Sequence, residues 1–203
     1  MVDFQSRDTG RGTDAEDDGT DAETDGTESE HGAHGHEDHD HHAHDKRDLG
    51  VAVVTVSSSR TRETDPSGER IQSAVEAAGH EVVSRDVIRD DHDGVQNAID
   101  ALAGRSDVDC VVTTGGTGVT PDDVTIEAVT PLFDKELPGF GELFRRLSYD
   151  DIGTKVVGTR ATAGIDGDTA VFCLPGSEDA ARLGTEEIIV EEAPHLVGLA
   201  QRE

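Results

Sequence analysis

The sequence predicts an α/β domain built on a mostly parallel sheet covered on both faces, and three observations point there. Short β-branched runs recur along the chain, each bounded by polar residues. Stretches with apolar residues at helical spacing lie between them. Each run ends in small or polar residues, as the carboxyl ends of strands do where an open α/β sheet carries a ligand.

The first run, GVAVVTVS (Gly50 to Ser57), has the pattern of a strand buried on both faces. Pro66, directly after Asp65, opens a helix carrying Ile71, Val75 and Ala78, and Gly79 is its natural stop. EVVSRDVI (Glu81 to Ile88) is the second strand. Asp91 or Asp93 caps the next helix, which carries Val95, Ala98, Ile99 and Leu102 and stops at Gly104. DCVVTT (Asp109 to Thr114) is the third strand and TAVFCLPG (Thr169 to Gly176) the fourth, with a C-terminal helix from about Ser177.

Composition divides the chain and narrows its partners. Its 203 residues hold 45 Asp and Glu against 17 Lys and Arg, a formal charge of −28, of which −12 lies in residues 1 to 48 and −16 in residues 49 to 203. Neither segment offers the basic face that neutralises phosphates, which argues against nucleic acid and against an anionic membrane surface. Apolar stretches are strand-sized, well short of the roughly 18 residues of a membrane span. The start, MVDFQSRDTG, lacks the regions of a signal peptide, and two cysteines, Cys110 and Cys173, are too few for a disulfide framework, so a reducing cytoplasm is expected. Both cysteines read as small core residues. Only 3 Lys accompany 14 Arg, and this carboxylate-rich, lysine-poor balance suits a salty cytoplasm, where screening over roughly 3 Å at 1 M salt suppresses self-repulsion.

Residues 1 to 48 are almost wholly Asp, Glu, Gly, Thr, Ser and His, too polar to offset about 1–2 kcal/mol of backbone entropy per residue, so disorder is expected there. Within them HGAHGHEDHDHHAH places seven histidines (His31, His34, His36, His39, His41, His42 and His44) beside Glu37, Asp38 and Asp40. Such a tract either binds Zn, Ni or Cu or is simply a solvated acidic tail. Residues 49 to 203 form one domain, large enough to bury roughly 68–70% of its unfolded surface.

The strand ends hold the candidate chemistry: Ser57 to Arg60, Asp90-Asp91, Thr114-Gly115-Gly116-Thr117-Gly118, and Leu174-Pro175-Gly176-Ser177. TTGGTG leaves a buried strand with three glycines in four positions. It either lets backbone N–H groups converge on a phosphate or makes a plain tight turn; it matches neither GxGxxG nor GxxxxGK[ST]. Asp123, in PDDVT, either caps a helix from Thr125 or holds Mg²⁺ with phosphates completing the shell, and Asp91 comes from the neighbouring strand end. Arg60 is the nearest basic candidate for a phosphate. Pro138-Gly139-Phe140-Gly141-Glu142 reads either as a kinked helix start or as a loop admitting a flat ligand.

TTGGTGVTPDDVTIEA, PLFDKELPGFGELFRRLSYDDIGT, TRATAGI and LPGS, with the weaker DPSGERIQSAVEAAGHEV, together resemble the MoaB/MogA family of molybdenum cofactor biosynthesis proteins, and DKELPGFGELFRRLS resembles its MoaB branch. The resemblance spans about Leu49 to Leu199. It implies a three-layer α/β/α fold, a homotrimer or homohexamer, and contacts with other proteins of that biosynthesis. It also implies binding of molybdopterin and, in active members, Mg²⁺-dependent adenylylation of its phosphate by ATP with release of pyrophosphate. A pterin-binding role without turnover, or metal handling through the histidine tract, are the alternatives. On this resemblance Thr114 to Gly118 form the nucleotide phosphate loop, Asp91 and Asp123 are the essential metal-binding acids, Ser67-Gly68 mark the pterin side, and Glu142 with Gly139 and Gly141 line the same pocket. Ser57, Arg60, Pro175, Gly176 and Ser177 complete it. Ser58-Ser59 depart from the acidic residue and Thr that the family often carries there.

Overall fold

The computed structural model describes residues 45–202; the disorder expected of the acidic tail and the metal binding considered for its histidine tract concern residues outside these. Strands β1 (Gly50–Val56), β2 (Glu81–Ile88), β3 (Cys110–Thr114), β4 (Lys135–Glu136), β5 (Thr162–Asp166) and β6 (Thr169–Leu174) make one sheet in the order β2-β1-β3-β6-β5-β4. Neighbours from β2 to β6 pair in parallel, while β5 and β4 add antiparallel. Helices α1 (Pro66–Ala77), α2 (His92–Ala103), α3 (Thr125–Val129), α4 (Pro138–Ile152), α5 (Glu178–Gly184) and α6 (Val190–Ala200) cover it. The three-layer α/β/α expectation therefore holds.

Period-two alternation sends each central strand into two cores. Val51 and Val53, Cys110 and Val112, and Ala170, Phe172 and Leu174 face the layer formed by α1, α4, α5 and α6. Ala52, Val54 and Val56, Val111, and Val171 and Cys173 face α2 and α3. Phe140 of α4 meets Phe172 edge-on at 5.2 Å, which seats that helix on the sheet. Both cysteines are fully buried, and burial pushes the Cys173 thiol up to about 12, so they pack as small core side chains.

The helices begin and end for local reasons. Asp65 accepts from Gly68 N and caps α1, with Pro66 in its first turn, and Gly79 at φ +89° ends the chain's helical course. Asp91 caps α2 through Gly94 N at 2.8 Å. Ser177 caps α5 through Ala180 N at 3.2 Å. The C-terminal helix departs from expectation by passing through a π-turn (Thr185–Ile189) between α5 and α6. Contact with the domain also starts before Leu49: Lys46 Nζ lies 2.6 Å from Asp109 Oδ1, and Asp45 holds His195 Nδ1 at 2.9 Å. Among the described residues no helix is long and apolar enough to cross a membrane.

Two strands escape the sequence pattern, because β4 is two exposed residues and β5 reads TAGID, without a β-branched run. Packing explains β5: a Cβ on Gly164 would sit 2.3–2.6 Å from the Phe133 ring, so the absent side chain makes room for the aromatic. Gly164→Ala is expected to destabilise the domain by about 1–3 kcal/mol through overpacking, read as a lower denaturant midpoint at unchanged m-value.

Candidate functional site

In the strand order β2-β1-β3 the chain leaves β1 toward one edge and returns from β2 to the other side of it. The ends of β1 and β3 thus flank a switch point of the kind that opens a crevice. A cleft of about 420 Å³ lies there, lined by Ser57, Ser59 and Arg60 after β1, Gly115 to Gly118 and Asp123 after β3, Gly158 and Thr159, and Pro175-Gly176 after β6. A second cavity of about 540 Å³ adjoins it through Thr159 and Pro175 and carries Ser148, Asp151, Ser177, Asp179 and Arg182.

The glycine turn is held in one shape. Gly115 has φ +99° and Gly116 φ +63°, and a Cβ on Gly115 would lie 2.3 Å from Val56 O. Thr125 fastens both carbonyls from below: its Oγ1 donates to Gly115 O and its N–H to Gly116 O, each at 2.9 Å. Thr114 Oγ1 donates to Pro175 O at 2.9 Å, tying the turn to the β6 loop. Gly115 N–H is spent on Leu174 O at 3.0 Å, so it is not one of the donors expected for a phosphate. The next two amides, Gly116 and Thr117, have no acceptor among the described residues, although Thr117 is only 4% exposed. Buried backbone donors are rarely left without a partner, and this pair lies on the cleft side of the turn, as in a concave anion-binding turn.

Two carboxylates flank these amides, and one is not the expected residue. Asp91 is exposed, its Oδ2 caps α2, and it does not line the cleft. Its neighbour Asp90 turns toward the turn instead: Oδ2 accepts from Ser58 N at 2.7 Å, and Oδ1 lies 3.4 Å from where a Gly116 Cβ would be. The bond from Ser58 N shows what the departure at Ser58-Ser59 leaves intact, since the backbone donates whatever the side chain is. Asp123 does not cap α3; it accepts from Thr120 Oγ1 at 2.6 Å and Thr120 N at 2.8 Å, and its carboxyl fills the space beside Gly118. The Thr120 hydroxyl, then backbone donors and the Arg160 charge, hold the Asp123 carboxyl below its ordinary value.

Basic groups in and around the cleft are tethered. Arg60 Nη1 donates to Ser67 Oγ at 3.0 Å and Nη2 to Gly176 O at 3.2 Å. Ser67 Oγ also donates to Gly176 O at 2.9 Å, so Ser67 joins α1 to the β6 loop from beneath the cleft, and Gly68 serves the α1 cap. Arg160, in the segment entering β5, donates from Nε to Thr117 O at 3.2 Å and grips Glu127 with its other nitrogens.

Gly139, Gly141 and Glu142 are not brought to the cleft. Pro138 starts α4, so the PGFGE run is helix rather than a ligand loop; Gly141 packs against Ala161 O, Gly139 borders a separate apolar groove, and Glu142 is exposed. Sequence reasoning named Asp90 at its strand end but gave the metal to Asp91, and it missed Arg160. The pair Asp90-Asp91 held the first signal, since a side chain used as a cap leaves the preceding one at the strand end.

Fold and cleft define an open α/β domain with a rigid glycine turn and two nearby carboxylates at its switch point. The family model of the probable molybdopterin binding domain matches residues 52–195. Molybdenum cofactor biosynthesis protein B of Bacillus subtilis is 49% identical over 148 residues, covering 71% of this chain and 86% of that protein. A crystal structure of a molybdenum cofactor biosynthesis protein B superposes with TM-score 0.75 at 44% identity, covering 77% and 98% of the two chains. That of the tungsten cofactor synthesizing protein MoaB from Pyrococcus furiosus gives 0.68 at 41%, covering 77% and 99%. The chain belongs to the MoaB family of molybdenum cofactor biosynthesis proteins.

Because its folded value lies below the ordinary 3.8, Asp123 favours the folded state above that pH, and the contribution is lost as pH falls through the lowered value. Thr120→Val is expected to move the Asp123 carboxyl back up toward 3.8 in an NMR titration. An unmoved carboxyl would mean that the hydroxyl is not what holds it.

Proposed function

We propose that the protein binds molybdopterin and joins its terminal phosphate to the AMP of ATP, releasing pyrophosphate, ahead of molybdate or tungstate insertion. The observation that carries this reading is the pair of amides, Gly116 and Thr117, that lack an acceptor among the described residues and lie between Asp90 and Asp123 at the β1/β3 switch point. Nucleotidyl transfer asks a protein mainly for positioning and for compensation of phosphate charge. Amides fixed by Thr125 supply compensation without reorganising, because the turn already has its final shape.

The donor set suits Mg²⁺. Among the described residues no three His, Cys, Asp or Glu gather as a cage, and Asp90 and Asp123 offer the one or two carboxylates that Mg²⁺ accepts when phosphate oxygens and water complete its shell. When bound there it would neutralise nucleotide phosphate charge. Arg60, on the β1 side of the cleft, faces the pterin phosphate, whose oxygen attacks the α-phosphorus of ATP as the bond to pyrophosphate breaks. The adjoining cavity through Thr159 and Pro175 provides room for a second large ligand. A homotrimer or homohexamer in the cytoplasm belongs to the same reading.

With molybdopterin, ATP and Mg²⁺, Asp90→Asn and Asp123→Asn are each expected to lower pyrophosphate release by about 100-fold or more while the thermal melt stays cooperative. Asp91→Ala is expected to keep the activity and lose about 1 kcal/mol of stability, as an exposed cap does. Full activity in Asp90→Asn together with loss in Asp91→Ala would return the metal to Asp91 and overturn this assignment.

A further inference from the structure

One carboxylate beneath the cleft is buried where β1, β2 and the start of α1 meet. Asp65 has a fully buried side chain. Its Oδ2 accepts from Thr55 Oγ1 of β1 at 2.7 Å, and its Oδ1 from Gly68 N of α1 at 3.0 Å. Arg85 of β2, only 11% exposed, brings Nη2 to 3.4 Å from Oδ2 and 3.0 Å from Asp65 O. On the other side Arg60 Nη1 stands 3.6 Å from Oδ1, while the same guanidinium reaches up to Ser67 Oγ and Gly176 O at the cleft wall.

The lengths are informative. A buried carboxylate draws a guanidinium into contact at about 2.7–2.9 Å when that is its sole cation. Here Arg85 satisfies part of that demand from behind, and Arg60 stays at 3.6 Å with its hydrogen bonds directed to Ser67 and Gly176. Two arginines sharing one carboxylate leave a formal charge of +1 at this pole of a domain that is otherwise strongly acidic.

We infer that Arg85 and Asp65 are positioning residues for the cleft: Arg85, which does not line it, balances Asp65 so that Arg60 remains presented to a phosphate group instead of collapsing onto the buried carboxylate. The inference rests on the proposed phosphate-binding role of the cleft and adds to it the device that sets the affinity of Arg60. The ligand it serves is a phosphate monoester, which a guanidinium held at one edge meets with its remaining N–H groups.

Two measurements on the full chain test it, with a thermal melt showing each variant folded. In a ligand-free crystal structure of Arg85→Met, Arg60 is expected to close on Asp65 Oδ1 to under about 3 Å and to leave Gly176 O. In calorimetric titration with molybdopterin, Arg85→Met is expected to weaken binding about tenfold, and to cost less than about twofold more when introduced into Arg60→Met, because it acts through Arg60. An Arg60 still seated on Gly176 in Arg85→Met, no loss of affinity, or an equal loss in both backgrounds would each overturn the inference. Failure of the unsubstituted protein to bind molybdopterin would instead count against the proposed function, and the crystal structure of the variant would still decide what holds Arg60.

Discussion

The backbone of Gly115 and Gly116 is the constraint on which the rest of the site depends. β3 must turn sharply where β1 and β6 end beside it, and a Cβ at either glycine would collide with Val56 O or Thr125 Oγ1. Residues other than glycine would also meet a cost of about 1–2 kcal/mol for a left-handed backbone at each position. With that cost absent, Thr125 and Leu174 fasten the turn from two sides, and the Gly116 and Thr117 amides are left with no acceptor among the described residues. The rigidity of the turn and the anion affinity proposed for it thus rest on one arrangement.

Charge poses the complementary problem. Residues 49 to 203 carry −16, yet the proposed ligands are both phosphorylated. Arg160 beside the turn is held by Glu127, and Arg60 is tethered to Ser67 and Gly176, so the cleft has one shared cation in place of the free ones a lysine-lined phosphate cleft would offer. On the proposed function, compensation beyond Arg60 would come from two sources, neutral backbone dipoles and a divalent metal between Asp90 and Asp123. Both sources keep their effect in concentrated salt better than exposed side-chain charges, which a short screening length weakens.

Much of the sheet was legible because buried parallel strands are written in β-branched residues. β2 runs over the expected Glu81–Ile88, the α2 cap falls on Asp91 of the two acids that could serve, and the C-terminal helical course begins at the expected Ser177. β5 was not legible, since its defining feature is a missing side chain under Phe133, a contact between residues 31 positions apart. The glycine turn was visible, but which amides remain free depends on Leu174, whose partnership only the register of β3 with β6 reveals. Asp90 was hidden by Asp91: both are acidic and adjacent, and the choice between them is made by the start of α2, which consumes one carboxylate and leaves the other at the strand end. The PGFGE run left a helix start and a ligand loop both open, because two glycines surround an aromatic; Pro138 and the burial of Phe140 make it the start of α4.

The most direct test of the central claim is a crystal structure of the protein soaked with a non-hydrolysable ATP analogue and Mg²⁺. The account predicts phosphate oxygens within about 3 Å of the Gly116 and Thr117 nitrogens, with the metal held by Asp90, Asp123 or both. Phosphates seated instead in the adjoining cavity beside Arg182, with the glycine turn left to water, would contradict it.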